Sequence, residues 1–342
     1  MALLPPNYMD AVVALGTEKE KGEFLGTATG FLYGAPTGAQ NEEGNPFYRI
    51  FLVTNRHVVE GIDQLTTRFN RSETLETRMY NIPLRNPDGS IRWTLHPDPK
   101  CDVAVIPILV DKLKEDGIQF YFFPGDSDTT ITVELARERG TSEGDGVFVL
   151  GFPLGMSGGE YNYTIVRQGN IARIRDWLNG RSNTFLIDAS VFPGNSGGPV
   201  IIKPEAVSIR GTTANKRAYL MGMVSAYIPY EDVAVSQQSG KARAVFVENS
   251  GLGIVVPMNI IKETVSLAVE TSKSRDGSNQ FDEELPEQPL EPVRIKSNKE
   301  SPATRKPLGQ WLVDNMPRGT NLEPPIRDDY GRPNPFLEGD VR

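Results

Sequence analysis

A serine enclosed by glycines constrains this chain more than any other feature. Residues 192–199 read FPGNSGGP, with Ser196 between two short glycine-containing turns. Glycine lets the backbone turn tightly and brings its N–H groups close to a bound carbonyl, as an oxyanion hole requires. The pattern also fits the G-x-S-x-G elbow of hydrolases. The segment therefore predicts a nucleophilic serine, and its alternative is a Gly-rich turn with an incidental serine.

The number and order of the histidines restrict the folds that could use Ser196. The chain has two histidines, His57 and His96, and both precede Ser196. The α/β-hydrolase order places the histidine after the nucleophile, so that fold is excluded. The subtilisin order needs an acid before His57, where Asp10 heads a poor set of candidates, or a role for His96, and it also needs alternating helices that the sequence does not show. The order that remains is histidine, acid, serine.

Two residues are candidates for the base and the acid. His57 follows the apolar segment 51–53, although an isolated histidine after a strand is equally well structural. Asp102 precedes the apolar segment 103–106, and a carboxylate at the edge of a buried strand needs a partner such as an imidazole N–H. Its alternative is an exposed aspartate at a strand end. His96 lies in a Pro-rich loop, which predicts a structural or exposed side chain.

The pattern of apolar residues predicts an all-β protein. Most of residues 10–257 read as short β-branched or aromatic runs broken by Gly, Pro, Asn and Asp, which is typical of a barrel or sandwich. After Pro257, helical spacing through Val269 predicts one closing helix with Asn259 as its N-cap. We expect a domain boundary near residue 125, giving domains at 1–125 and 126–270.

The last part of the chain has a different composition. Residues 271–342 hold 10 of the 26 prolines, mixed with polar residues, which predicts a mainly disordered tail. Isolated apolar residues in this tail could bind the body of the protein or a partner. They are Trp311, Leu312, Val313 and Phe336.

Composition excludes several functions. The net charge of −8 comes without a basic block, so nucleic acid is not an expected partner. No apolar run approaches the ~20 residues of a membrane span. One cysteine and two histidines offer no metal-ligand cluster, so neither metal nor cofactor is expected. Cys101 cannot form an internal disulfide, and Met1–Asp10 lacks the features of a secretory signal, so we expect a cytoplasmic protein.

Three blocks of the sequence resemble the catalytic blocks of bacterial trypsin-like peptidases, nearest the HtrA-type protease domain. They read TNRHVV at 54–59, DVAV at 102–105 and DASVFPGNSGGP at 188–199. Supporting blocks are GTATGFL at 26–32 and GIVVP at 253–257, and together the blocks cover roughly residues 10–270. The resemblance implies two antiparallel six-stranded β-barrels with the active site in the cleft between them.

The resemblance also implies a role for each catalytic residue. Ser196 is the nucleophile, His57 the general base and Asp102 the residue that orients His57. The backbone N–H groups of Gly194 and Ser196 form the oxyanion hole. Asn195 stands where digestive trypsins have the aspartate that binds a new N-terminus, so any control is expected from loop ordering or from a protein partner recruited by the tail.

Family analogy places the specificity pocket at four residues, namely Ser190, Val224, Ser225 and Tyr227. Ser190 carries no charge at the pocket floor, so we expect a small or medium neutral residue before the scissile bond (the P1 residue). The peptide-binding PDZ domain that is usual in the family is not expected after residue 270, because that region is too Pro-rich.

The sequence thus predicts a serine endopeptidase that acts on protein or peptide substrates. Three alternatives remain at this point. The first is a silent or latent protease-fold scaffold that binds partner proteins, and the second is an esterase that uses the same site. The third is a non-catalytic β-barrel binding module.

Overall fold

The chain folds into two mainly antiparallel β-structures that follow one another in sequence. The computed structural model describes residues 3–19, 22–42, 44–72, 76–125, 129–205 and 215–276, all within one compact unit. The strands of the first half are β1 Val12–Glu18, β2 Phe24–Gln40, β3 Pro46–Thr54, β4 Gln64–Arg71, β5 Thr77–Pro83, β6 Thr94–Leu95, β7 Ala104–Pro107, β8 Ile118–Gln119 and β9 Phe123–Pro124.

The first half is an open sheet. Its strand order is β5-β4-β1-β2-β3-β7-β6, while β8 pairs with β4 and β9 with β2. Side chains of β4, β5, β7 and the helix that follows line a groove of about 150 Å³ near the β5 edge. The edge strand β6 has only two residues, too few to bridge this gap with backbone hydrogen bonds. The prediction of two closed barrels is therefore wrong for the first half.

The second half is a closed barrel, as predicted. Its six strands follow the order β10-β11-β12-β15-β14-β13. The strands up to Pro124 belong to the open sheet, and the strands from Gly146 onward belong to the barrel. The domain boundary near residue 125 stays a prediction. The strands are β10 Gly146–Gly151, β11 Ile165–Arg173, β12 Phe185–Asp188, β13 Pro199–Ile202, β14 Tyr219–Val235 and β15 Ala242–Pro257.

An apolar core joins the two halves. Side chains alternate across a strand, so β10 serves two cores at once. Val147 and Val149 point into the barrel, whereas Phe148 and Leu150 pack with residues of the first half. A buried cation adds to this contact, because Arg68 of β4 donates to Ser157 Oγ (2.8 Å). Apolar packing and a buried hydrogen bond therefore hold the two halves together.

Two barrel strands continue beyond the barrel as a two-stranded extension. Residues 229–235 of β14 pair with residues 242–249 of β15, and most of these residues are exposed. We call this extension the ribbon. The predicted strands Tyr219–Ala226 and Gly253–Val256 are confirmed but are shorter than the observed ones.

Helices are few, as expected, and mostly short. They are α1 Arg56–Val59, α2 Val110–Glu115, α3 Val133–Arg139, α4 Arg175–Leu178 and α5 Met258–Asp276, with 3-10 turns at Pro6–Ala11 and Pro153–Gly155. No helix in the described part of the chain is long and apolar enough to cross a membrane.

The closing helix α5 differs in detail from its prediction. It begins at Met258, so Asn259 lies in the first turn instead of capping it, and Asn259 Oδ1 accepts a hydrogen bond from Trp177 Nε1 (3.1 Å). The helix continues to Asp276, past the expected start of the tail. The rest of that tail, including Trp311, Leu312, Val313 and Phe336, lies outside the described residues.

Candidate active site

Side chains from both halves meet at a cavity of about 380 Å³. The first half supplies His57 and Asp102, and the second half supplies Ser196. The structure therefore brings the three candidate catalytic residues together, although they are far apart in the sequence. The other residues that line the cavity are Val191, Phe192, Pro193, Ser225, Ala226 and Tyr227.

Strand pairing in the first half brings His57 and Asp102 together. His57 lies in α1 directly after β3, and Asp102 lies just before β7, which pairs with β3. His57 Nδ1 is 2.8 Å from Asp102 Oδ2, and the backbone N–H of His57 donates to Asp102 Oδ1 (3.1 Å). These two contacts fix both the imidazole ring and its backbone against one carboxylate.

The Asp102 carboxylate also has a partner from the second half. Ser225 Oγ donates to Asp102 Oδ2 (2.6 Å). Burial of the carboxyl opposes its ionisation, but the hydrogen bonds from His57 and Ser225 outweigh this effect, and the pKa of Asp102 is lowered below its ordinary value. Asp102 is therefore ionised at neutral pH and can hold the Nδ1 proton of His57.

Ser196 faces the same cavity in a resting orientation. Its Oγ donates to the backbone carbonyl of Ser225 (3.3 Å), and the hydrogen bonds among the described residues do not join it to His57. Catalytic hydrogen bonds are often long before substrate binds. A rotation about the Ser196 side-chain bond is what the reaction would require.

Two glycines give the loop around Ser196 its shape. Gly194 has φ +98° and Gly197 has φ +82°, values that other residues rarely adopt. A side chain at Gly194 would also collide with the carbonyl of Phe152, and one at Gly197 with the carbonyl of Thr29. The glycines flanking Ser196 are thus required by both conformation and space.

Hydrogen bonds set the direction of the peptide groups in this loop. The carbonyl of Pro193 accepts from the backbone N–H of Leu154 (2.6 Å). Because the C=O and N–H of a trans peptide point in opposite directions, the Gly194 N–H points away from Leu154. Within the described residues, neither the Gly194 N–H nor the Ser196 N–H donates to a protein group. Both are therefore available to a bound oxyanion.

Sequence reasoning missed a buried threonine that links the halves at this point. Thr29 Oγ1 donates to the Gly194 carbonyl (2.6 Å) and accepts from the Phe152 N–H (3.0 Å), and the Thr29 N–H donates to the Ser196 carbonyl (2.9 Å). The signal was a polar residue inside the strand block 26–32, but it gave no indication of a partner 165 residues later.

The four predicted specificity residues do not all reach the cavity. Ser225 and Tyr227 line it. Ser190 is exposed outside it, and Val224 is fully buried in the barrel core. His96 also lies elsewhere, with Nε2 3.2 Å from Glu263 Oε2 on α5, so its role is structural. Among the described residues, no group of three or more His, Cys, Asp or Glu could hold a metal.

Comparison with known proteins identifies relatives of this chain. The sequence profile of the trypsin-like peptidase domain matches residues 28–205. A probable periplasmic serine endoprotease, DegP-like, from Pseudomonas putida is 26% identical over 60% of this chain and 35% of its own length. The protein of the same description from Hahella chejuensis is 26% identical over 60% of this chain and 36% of its own length. The chain thus spans about a third of the length of these relatives.

Comparison with solved structures also found matches. The MamO protease domain from Magnetospirillum magneticum, in its apo form, has a TM-score of 0.38 at 15% identity and covers 75% of this chain and 96% of its own. The inactive form of Rv3671c from M. tuberculosis has a TM-score of 0.35 at 14% identity and covers 80% of this chain and 89% of its own.

The relatives contradict the expected cytoplasmic location. Both bacterial relatives above are named as periplasmic enzymes. The expectation relied in part on the single cysteine Cys101, but a domain with a large apolar core does not need disulfides in an oxidising compartment. Cysteine count therefore does not decide the location of this protein.

The family expected from the three sequence blocks is confirmed. The matching profile covers more than half of the chain and includes His57, Asp102 and Ser196. The chain belongs to the family of trypsin-like peptidase domains.

Proposed function

We propose that this protein is a serine endopeptidase with Ser196 as its nucleophile, His57 as its general base and acid, and Asp102 as the residue that orients His57. The observation that carries the proposal is one cavity lined by Ser196 and by the His57–Asp102 pair at 2.8 Å. The free N–H groups of Gly194 and Ser196 support it, because acyl transfer needs donors for the developing oxyanion.

The reaction follows from these positions. Ser196 Oγ turns from the Ser225 carbonyl toward His57 and attacks the peptide carbonyl carbon, while His57 Nε2 takes the hydroxyl proton. The carbonyl oxygen becomes an oxyanion held by the N–H groups of Gly194 and Ser196. His57 then gives its proton to the leaving amine as the C–N bond breaks, which leaves an acyl-enzyme. Water, deprotonated by His57, hydrolyses the ester and restores Ser196.

The walls of the cavity support a neutral P1 residue. Val191, Pro193 and Ala226 offer apolar surface, and Asp102, already bound to His57 and Ser225, is the only carboxylate among the described residues that line the cavity. A P1 arginine or lysine would bury its charge without a free partner, which costs binding energy. We therefore propose cleavage after small or medium neutral residues.

Mapping of cleavage sites in a denatured proteome by mass spectrometry tests the function. Wild type, Ser196→Ala and the matched control Ser266→Ala, an exposed serine on α5, are compared at equal concentration. We expect cleavage by wild type and the control but not by Ser196→Ala. An excess of Arg or Lys at P1 would contradict the neutral pocket.

Two other outcomes favour the alternative functions. Hydrolysis of nitrophenyl esters by wild type without any peptide cleavage would favour an esterase. If a fluorophosphonate probe fails to label Ser196 in a folded protein, the site is latent or silent and the protein is better described as a scaffold.

A further inference from the structure

Beyond the cavity, β14 has a backbone edge without a neighbouring strand. β13 pairs with β14 only as far as Met223. The next residue, Val224, donates its N–H to the backbone carbonyl of Gly198 (2.9 Å). From Ser225 to Val235, the strand pairs within the described residues join β14 to β15 alone. Proteins usually protect such an edge, because it offers free N–H and C=O groups to any extended chain.

The ribbon that carries this edge is unusually apolar for an exposed hairpin. Val233 lies directly opposite Val245, and Glu231 opposite Val247, so these side chains share one face. Six large apolar side chains on the ribbon are each 45–60% exposed, which indicates a binding surface and not part of a core. They are Tyr230, Val233, Val235, Val245, Phe246 and Val247.

Hydrogen bonds fix the base of the ribbon to the wall of the cavity. Asn249 Nδ2 donates to the carbonyl of Val191, which lines the cavity. On the other strand, the carbonyl of Ile228 accepts from Ser250 Oγ (2.6 Å). β14 therefore runs as one strand from the cavity residues Ser225–Tyr227 into the ribbon, with a register shift between Tyr227 and Pro229 and with no N–H at Pro229.

We propose that the ribbon extends the substrate cleft, and that the edge of β14 beyond Tyr227 binds the substrate upstream of the scissile bond as an added antiparallel strand. This inference rests on the proposed function. With the P1 carbonyl at Ser196 and the P1 side chain between Val191 and Ser225–Tyr227, the residues upstream of P1 run along β14. Strand addition of this kind is a common mode of peptide recognition.

The length and surface of the ribbon define the substrate class. Residues 228–235 span about 26 Å at ~3.3 Å per residue, so they match about eight substrate residues. The substrate is a polypeptide that presents an extended, apolar segment upstream of its cleavage site. Such segments are exposed in unfolded chains and buried in folded proteins.

Peptides of two lengths test the proposal. Both contain the same cleaved sequence, taken from the mapped sites, with either three or eleven residues before the scissile bond. We expect kcat/KM of wild type to be about 10-fold higher for the long peptide, since cross-strand pairs each contribute a modest amount. Equal values for the two peptides, with cleavage still lost in Ser196→Ala, would overturn this inference and leave the proposed function intact.

A matched pair of variants locates the binding edge. Val233 on β14 would neighbour the added strand, whereas Val245 on β15 lies opposite Val233 and one strand further away. Val233→Thr should lower the long-to-short ratio about 3-fold, and Val245→Thr should leave it unchanged. Equal loss in both variants, together with a wild-type dimer in sedimentation, would show self-association and overturn the proposal.

N-methylation of the long peptide tests the backbone pairing itself. In an antiparallel pair, alternate residues donate N–H groups to the neighbouring strand. Single N-methyl groups placed from the fourth to the tenth residue before the scissile bond should therefore weaken binding at every second position. Binding measured by fluorescence anisotropy on Ser196→Ala needs no turnover, so it tests the ribbon even if neither peptide is cleaved. A uniform or absent effect would overturn strand addition.

Discussion

The two halves hold their parts of the site in different ways. In the first half, an open sheet supplies a half-exposed His57 side chain (51% exposed), and a single strand pair, β3 with β7, brings it to Asp102. In the second half, a closed barrel supplies a nucleophile loop shaped by two glycines at positive φ and held by several buried hydrogen bonds. One pair of strands in register is enough to bring two side chains together. Two backbone N–H groups point to the same position only if the surrounding loop is held in one conformation.

We expect the largest effect from removing the negative charge of Asp102, which the first half contributes to the site. Asp102→Asn should lower kcat by about 10⁴-fold, because His57 then loses the partner that fixes its tautomer. Steady-state kinetics on a mapped peptide measures this. The matched control is Asp63→Asn, a surface aspartate that pairs with Arg85 (2.9 Å). A loss below about 10-fold would mean that another group orients His57.

A smaller effect concerns the contact between the halves at the nucleophile loop. Thr29→Val removes the hydroxyl that holds the Gly194 carbonyl, so kcat should fall by about 30-fold with little change in KM, less than the ~10²–10³-fold loss that follows removal of a whole oxyanion donor. Thr29→Ser should restore most of the rate. Equal damage in both variants would show that Thr29 matters for packing and not for the hydrogen bond.

The loss in free energy of unfolding caused by a core substitution in each half tests whether the barrel is the more rigid half. Ile187→Ala in the barrel core should cost about 4 kcal/mol, and Ile106→Ala in the core of the open sheet about 2 kcal/mol, because an open sheet relaxes more readily around a cavity. Both isoleucines are fully buried. Urea unfolding monitored by circular dichroism gives the two values. The reverse order would contradict the comparison of the halves.

The smallest effect concerns pH. The pKa of Asp102 is lowered in the folded protein, so its contribution to stability is present above the unfolded pKa and is lost as pH falls through the folded one. Ser225→Ala removes one cause of the shift, so the free energy of unfolding should depend less on pH below about pH 4. Denaturation at several acidic pH values measures this. An unchanged profile would mean that His57 alone lowers the pKa.

The sequence predicted the parts of this molecule whose chemistry is local. Ser196, His57 and Asp102 could each be recognised from residue type and near neighbours in the sequence. The structure brings these three residues to one cavity. The openness of the first sheet depends on pairing between distant edges, and the Thr29 contact joins residues far apart in the chain. The ribbon was missed because its valines are interrupted by Glu231, Asp232 and Arg243, so no period stood out.

The shared use of β10 by two cores has a consequence for how a substrate could reach the cleft. A hinge that opened the cleft would have to pull Phe148 and Leu150 out of the first half and expose them to water, and fully exposing one such side chain costs about 1.5–3 kcal/mol. Separation of the two halves is therefore a costly route for substrate entry. On the proposed function, we expect a flexible chain to enter the cleft along the surface.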